Sequence, residues 1–200
     1  MSEVVIIDNG GGNVASVRYA LERQGVAARL TQDPERVRAA ARVILPGVGA
    51  AREAMRRLAA AGLDRLIPTL TQPVLGICLG MQLLYAASDE GDTECLGVLP
   101  GRAARIPDAP GRAVPHMGWN QLTPLRASPL LAGIAAGDYA YFVHSYRLPT
   151  GPDTVATCDY GGAFTAIVSR GNFHGTQFHP ERSAGVGARL LGNFLALGAP

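Results

Sequence analysis

The sequence predicts an α/β protein built on a largely parallel sheet with helices on both faces. Three observations carry this expectation. Short, wholly apolar runs such as Val4-Val5-Ile6-Ile7 and Val43-Ile44-Leu45 recur in the first half, as strands covered on both sides require. Segments with apolar residues at helical spacing fall between them, giving the order strand, helix, strand, helix. No repeat, low-complexity stretch or long linker divides the 200 residues, so residues 1–200 are expected to form one domain.

Residues 2–8 read as the first strand. Asn13 is placed to cap a helix on which Val14, Val17 and Leu21 share a face, and Gly25 is placed to close it in the left-handed conformation. Residues 27–30 read as a second strand. Asp33-Pro34 then supplies a cap and a first-turn proline for a short helix to about residue 41, before a strand over 42–45. After Pro46-Gly47-Val48-Gly49 a helix is expected over about 51–61, and the strand 74–77 runs straight into a helix from about residue 79. From about residue 99 shorter strands are expected at 99–106, 113–122, 138–146, 154–160, 163–169 and 172–178, then a helix over 185–197. This second half is expected to extend the same sheet in mixed orientation.

Composition narrows the function classes. Hydrophobic residues make up 48% and charged residues 17%, as in globular proteins. The net charge of +2 is spread along the chain without a basic block, which argues against nucleic acid as partner. The apolar runs are too short to cross a bilayer and no leader is visible, so no membrane association and a cytoplasmic location are expected. Cysteines at 78, 95 and 158 are odd in number and lack paired spacing, which suggests neither a disulfide framework nor a zinc cluster.

Gly76-Ile77-Cys78-Leu79-Gly80 lies between an expected strand and an expected helix. It is the cysteine form of a nucleophile elbow, in which a cramped turn lifts the nucleophile out of the sheet and flanking glycines avoid collisions. The helix start favours a thiolate on Cys78. A nucleophilic thiol needs a base oriented by a third group. Alternation along 173–179 puts His179 at the C-terminal end of a strand, where parallel sheets present their sites, and Glu181 follows within reach of the imidazole. At another strand end, glycine-rich backbone at Gly47, Val48 and Gly49 can aim N–H groups at a carbonyl oxygen and reorient. Cys95 and Cys158 lack such surroundings and are expected to be inert.

Pro46-Gly47-Val48-Gly49, Gly76-Ile77-Cys78-Leu79-Gly80-Met81-Gln82 and Gln177-Phe178-His179-Pro180-Glu181 together resemble class I glutamine amidotransferases. Pro115-His116-Met117-Gly118-Trp119-Asn120 and Tyr141-Phe142-Val143-His144-Ser145-Tyr146 are similar to the glutaminase subunits of imidazole glycerol phosphate synthases, and the resemblance covers nearly the whole chain. It implies a three-layer, flavodoxin-like fold with a mixed, largely parallel central sheet. It implies that Cys78 forms a γ-glutamyl thioester, that His179 shuttles the proton and that Glu181 holds the imidazole. The N–H of Leu79 and a peptide around Val48 would form the oxyanion hole, with Gln82, Ser145 and Tyr146 on the amino-acid end of glutamine. Asn13, Trp119, Tyr141 and Arg182 would meet a separate (β/α)8-barrel cyclase of histidine biosynthesis, with no cofactor and no metal needed. The chain departs from the family pattern at Asn9, Gly11 and Arg182, where an aromatic residue, a larger residue and lysine are usual. His116 and His144 receive no chemical role. Another ammonia acceptor, a peptidase or γ-glutamyl hydrolase on the same elbow, and a non-catalytic binding subunit stay open from the residues alone.

Overall fold

A computed structural model describes residues 3–10 and 14–198. The first half follows the expected alternation: β1 (Val4–Ile7), α1 (Val14–Glu22), β2 (Ala28–Thr31), α2 (Pro34–Ala39), β3 (Arg42–Gly47), α3 (Ala51–Ala60) and α4 (Leu63–Leu66). Next come β4 (Val74–Cys78) and α5 (Leu79–Leu83). Local chemistry explains the boundaries. Asp33 caps α2 by accepting from the Glu35 N–H at 3.0 Å, with proline in the first turn. Gly25 takes φ 74 just past α1, as the sequence expects of its stop. The Asn13 cap lies outside the described residues.

Two short strands, β5 (Tyr85–Ser88) and β6 (Thr93–Glu94), precede β7 (Leu99–Arg105), β8 (His116–Gln121), β9 (Thr123–Pro124), β10 (Tyr139–His144) and β11 (Tyr146–Arg147). The chain then forms β12 (Thr154–Asp159), β13 (Ala163–Arg170), β14 (Phe173–Thr176) and the closing α6 (Ala184–Ala196). The main sheet runs β2-β1-β3-β4-β14-β13-β12-β9. From β2 to β14 neighbours are parallel, and the remaining pairs are antiparallel. The mixed, largely parallel sheet is as expected.

The second half departs from the expected single extension. Strands β8 and β10 form a separate two-stranded antiparallel ribbon, and β11-β7-β5-β6 form another sheet. The reason is burial: Met117 and Trp119 on β8 are exposed, so the ribbon has a wet face that the buried central sheet cannot accommodate. Strands β5 and β6 and helix α4 are too short to leave a periodic signal.

The parallel strands bury both faces. Val4 and Ile6 join a core with Phe142, Phe164, Phe178 and Phe194. Val5 and Ile7, one residue out of step, join a second core with Leu45, Leu58 and Met81 across the sheet. The sheet thus becomes the middle of three layers, and the C-terminal ends of β3 and β4 lie side by side.

Candidate active site

The site begins where β4 meets α5. Gly47 on β3 pairs in register with Cys78 on β4, and Cys78 itself takes φ 53 and ψ −111, a strained backbone for a residue with a side chain. The glycines around it are sterically required. A Cβ on Gly80 would lie 1.8 Å from the Leu45 carbonyl oxygen, and one on Gly76 would lie 2.7 Å from backbone atoms of Gly80 and Met81. A Cβ on Gly47 would meet Gly80 N at 2.7 Å in the same way. The strand therefore passes into α5 in a turn that only this spacing of glycines permits.

His179 lies three residues beyond the end of β14 rather than on the strand. Its position is set by β10 instead: its backbone N–H donates to the Tyr141 carbonyl at 2.9 Å. The Tyr141 N–H donates to Ser183 Oγ at 2.9 Å, and Ser183 Oγ donates to the His179 carbonyl at 2.7 Å. The imidazole Nδ1 is 2.7 Å from Glu181 Oε1 with both side chains buried. The same imidazole hydrogen-bonds Cys78. Burial opposes charging His179, but the hydrogen bonds and charges of Cys78 and Glu181 outweigh it and raise the imidazole to about 10.

A cleft of about 510 Å³ opens over these groups. Cys78, Leu79 and His179 line it together with Val48 and Gly49. Gln82, Ser145, Tyr146 and Arg182 line its other parts. Gly47 faces a smaller adjoining void shared with Val48 and His179. Val48 is exposed and Gly49 takes φ 88, so the 46–49 loop ends β3 at the cleft edge. Among the described residues, no three His, Cys, Asp or Glu side chains gather as a metal site would need.

Trp119 is 52% exposed, which rules out an ordinary core position. It meets the half-buried Tyr141 edge to face at 5.9 Å, and the Arg182 guanidinium lies 4.7 Å above the Tyr141 ring. The three thus form one surface cluster on the cleft rim; Asn13, grouped with them from the sequence, lies outside the described residues.

Sequence reasoning passes over three groups at the site, two of them at the thiol. Gln177 Nε2 and the Val143 carbonyl each lie 3.7 Å from Cys78 Sγ, and Ser183 ties the base turn to β10. Gln177 carries a signal, since alternation puts it on the same face as His179. Val143 acts through its backbone and has none.

A thiol on an elbow, facing an imidazole held by a carboxylate beside glycine-rich backbone, suits attack on an amide carbonyl. The family model for glutamine amidotransferase class-I matches residues 5–197. The chain belongs to the class I glutamine amidotransferase family. It is 59% identical, over all of both chains, to a protein of Xylella fastidiosa described as imidazole glycerol phosphate synthase subunit HisH. A protein of Xanthomonas axonopodis with the same description is 58% identical over the full length of each. Among solved structures, this amidotransferase resembles one described simply as a glutamine amidotransferase, at TM-score 0.74 and 21% identity over 96% of each chain. PurLQS from Thermotoga maritima gives TM-score 0.74 and 19% identity over 98% of each chain. At that identity the structural likenesses establish the fold of a class I amidotransferase and nothing finer.

Proposed function

We propose that this chain is the glutaminase subunit of an imidazole glycerol phosphate synthase. It hydrolyses glutamine to glutamate and ammonia and delivers the ammonia to a separate (β/α)8-barrel cyclase in histidine biosynthesis. The observation that carries the chemical half is Cys78, strained at φ 53, hydrogen-bonded to an imidazole that Glu181 grips at 2.7 Å. The pathway half is supported by full-length relatives near 58% identity that bear one description.

The Cys78 thiolate attacks the side-chain amide carbon of glutamine. Negative charge gathers on the carbonyl oxygen, where the Leu79 N–H and the peptide around Val48 receive it, with Gly47 and Gly49 giving that peptide freedom to turn. His179, held charged beside the thiolate, gives its proton to the amide nitrogen, and the carbon–nitrogen bond breaks to release ammonia. The same imidazole then takes a proton from water, whose oxygen attacks the carbonyl carbon of the γ-glutamyl thioester; the carbon–sulfur bond breaks, glutamate leaves, and the Cys78 thiolate is restored beside the recharged imidazole. Gln82, Ser145 and Tyr146 hold the amino-acid end of the substrate. Ammonia freed into bulk water would largely protonate, so transfer requires a shielded route into the partner. Trp119, Tyr141 and Arg182 mark the docking face.

The test measures ammonia release from glutamine by this chain alone and mixed with the barrel cyclase, with and without the cyclase's nucleotide ligand. Low turnover alone and a rise in the complex are expected. Equal turnover with and without the cyclase would contradict the coupling, and failure of the two proteins to co-purify would contradict the partner.

A further inference from the structure

A buried polar chain, to which the glutaminase steps assign no role, runs from the β8–β10 ribbon to the cleft wall, where His144 is one of the lining residues. His116 and His144 stand opposite each other on β8 and β10 and are 3% and 5% exposed. The His116 ring is stacked on Tyr160 at 4.0 Å and on Phe142 at 5.0 Å, so it has no freedom to swing. Its Nδ1 is 3.1 Å from His144 Nε2, and its Nε2 is 3.3 Å from Asn120 Nδ2. His144 Nδ1 is 2.8 Å from the Tyr146 carbonyl oxygen.

Backbone groups decide the direction of these bonds at both ends. A carbonyl only accepts, so His144 carries its hydrogen on Nδ1 and presents a lone pair at Nε2. His116 must then donate from Nδ1, which leaves its Nε2 to accept. At the far end, Asn120 Oδ1 accepts from the Gln121 N–H at 2.8 Å and Asn120 Nδ2 donates to the Asp159 carbonyl at 2.8 Å. That fixes the amide, and its second hydrogen faces His116 Nε2, as the histidine pair requires. Burial favours the uncharged rings this pattern needs, holding His116 down to about 4 and His144 to about 3.

The receiving end of the chain belongs to the cleft. The Tyr146 carbonyl that His144 binds also accepts from Gln82 Nε2 at 2.9 Å. Gln82 Nε2 gives its other hydrogen to Gln177 Oε1 at 3.0 Å, and Gln177 Nε2 is 3.7 Å from Cys78 Sγ.

We propose that His116 and His144 are positioning residues: a one-way hydrogen-bonded relay from Asn120 that fixes the Tyr146 carbonyl and, through it, the Gln82 amide that receives the substrate. This rests on the glutaminase reading for its consequence and on geometry alone for its form. The relay also joins the wet ribbon that carries Trp119 to the substrate end of the cleft, since Asn120 follows Trp119 on β8.

Nitrogen-resolved NMR of the full wild-type chain tests the form. Both imidazoles are expected to carry one hydrogen, on Nδ1, and to keep that state from pH 6 to 8. A hydrogen on His144 Nε2, or titration near the ordinary 6.5, overturns the relay. Steady-state kinetics of the complex with the cyclase test the consequence. His144→Leu is expected to raise the glutamine KM about tenfold with a smaller change in kcat, the effect of losing one positioning hydrogen bond. His144→Asn, whose amide can stand in for the Nδ1–H, is expected to recover most of that loss. His116→Phe keeps the ring stack but frees His144 Nε2, and is expected to raise KM less while letting His144 sample both tautomers. Equal KM values for wild type, His144→Leu and His144→Asn overturn the positioning role. A wild-type complex that releases no ammonia sinks the glutaminase reading instead, and the tautomer measurement still decides the relay.

Discussion

At Cys78 a sparsely populated backbone geometry that costs about 1–3 kcal/mol is held in place by contacts no side chain could share. The glycines divide into two kinds, and the difference is measurable. Gly80→Ala drives a Cβ to 1.8 Å from the Leu45 carbonyl, so loss of about 3 kcal/mol or more, or failure to fold, is expected in denaturant titration. Gly49→Ala meets nothing within 4 Å and carries only the strain of φ 88, about 1 kcal/mol, yet it should slow ammonia release by stiffening the loop. His179 gives a second prediction. Its value in the folded chain, about 10, lies above the ordinary 6.5, so its charged form adds stability that is whole below pH 6.5 and fades as the pH rises toward 10. The melting-temperature advantage of wild type over His179→Asn should shrink across that window; a constant advantage would contradict a charged imidazole. At this scale the sequence is legible wherever the chemistry is packed into neighbours. The glycines flanking Cys78 announce their collision, and His179-Pro180-Glu181 announces a ring and a carboxylate within reach. Val143 and Ser183 leave no such trace, because one acts through its carbonyl and the other through a bond to a strand 42 residues away.

The turn that carries His179, the proposed base, is held by β10 rather than by the strand that leads into it. Tyr141 uses both backbone groups to grip it, one through His179 N–H and one through Ser183 Oγ. Ser183→Ala leaves the Tyr141 N–H without its acceptor at a buried position. A stability loss of about 1–3 kcal/mol is expected by thermal melting, together with a fall in kcat as the imidazole loosens. Unchanged kcat would show that β10 does not set the base. This also explains why alternation along 173–179 locates His179 at the right end of the sheet but on a strand that stops at Thr176. Periodicity locates elements that bury a face, which is why β1, β3 and β4 are legible. It does not say which sheet a half-wet strand joins, and for that reason it puts β8 and β10 in the wrong one.

Across the whole molecule, the three layers put the cleft at one end of the parallel strands and leave Met117, Trp119 and Tyr139 exposed on the adjoining ribbon. Large apolar side chains clustered at a cleft rim fit an interface better than a free surface. Trp119→Ala should leave the melting temperature nearly unchanged, because the residue is half in solvent, while weakening the complex with the cyclase by about 30-fold, the effect of an anchor worth about 2 kcal/mol. Titration calorimetry checks it, and an unchanged affinity would place the docking face elsewhere.

The proposed nucleophile can be read directly. Of the three cysteines, burial raises Cys95 to about 11 and Cys158 to about 12, whereas Cys78 faces the imidazole in the cleft. A diazoketone analogue of glutamine, incubated with the complex and followed by peptide mass spectrometry, should add one covalent label at Cys78 alone, blocked by excess glutamine and absent from Cys78→Ala. Labelling at Cys95 or Cys158, or an unlabelled Cys78 in a complex that still releases ammonia, would contradict a mechanism that runs through the Cys78 thiolate.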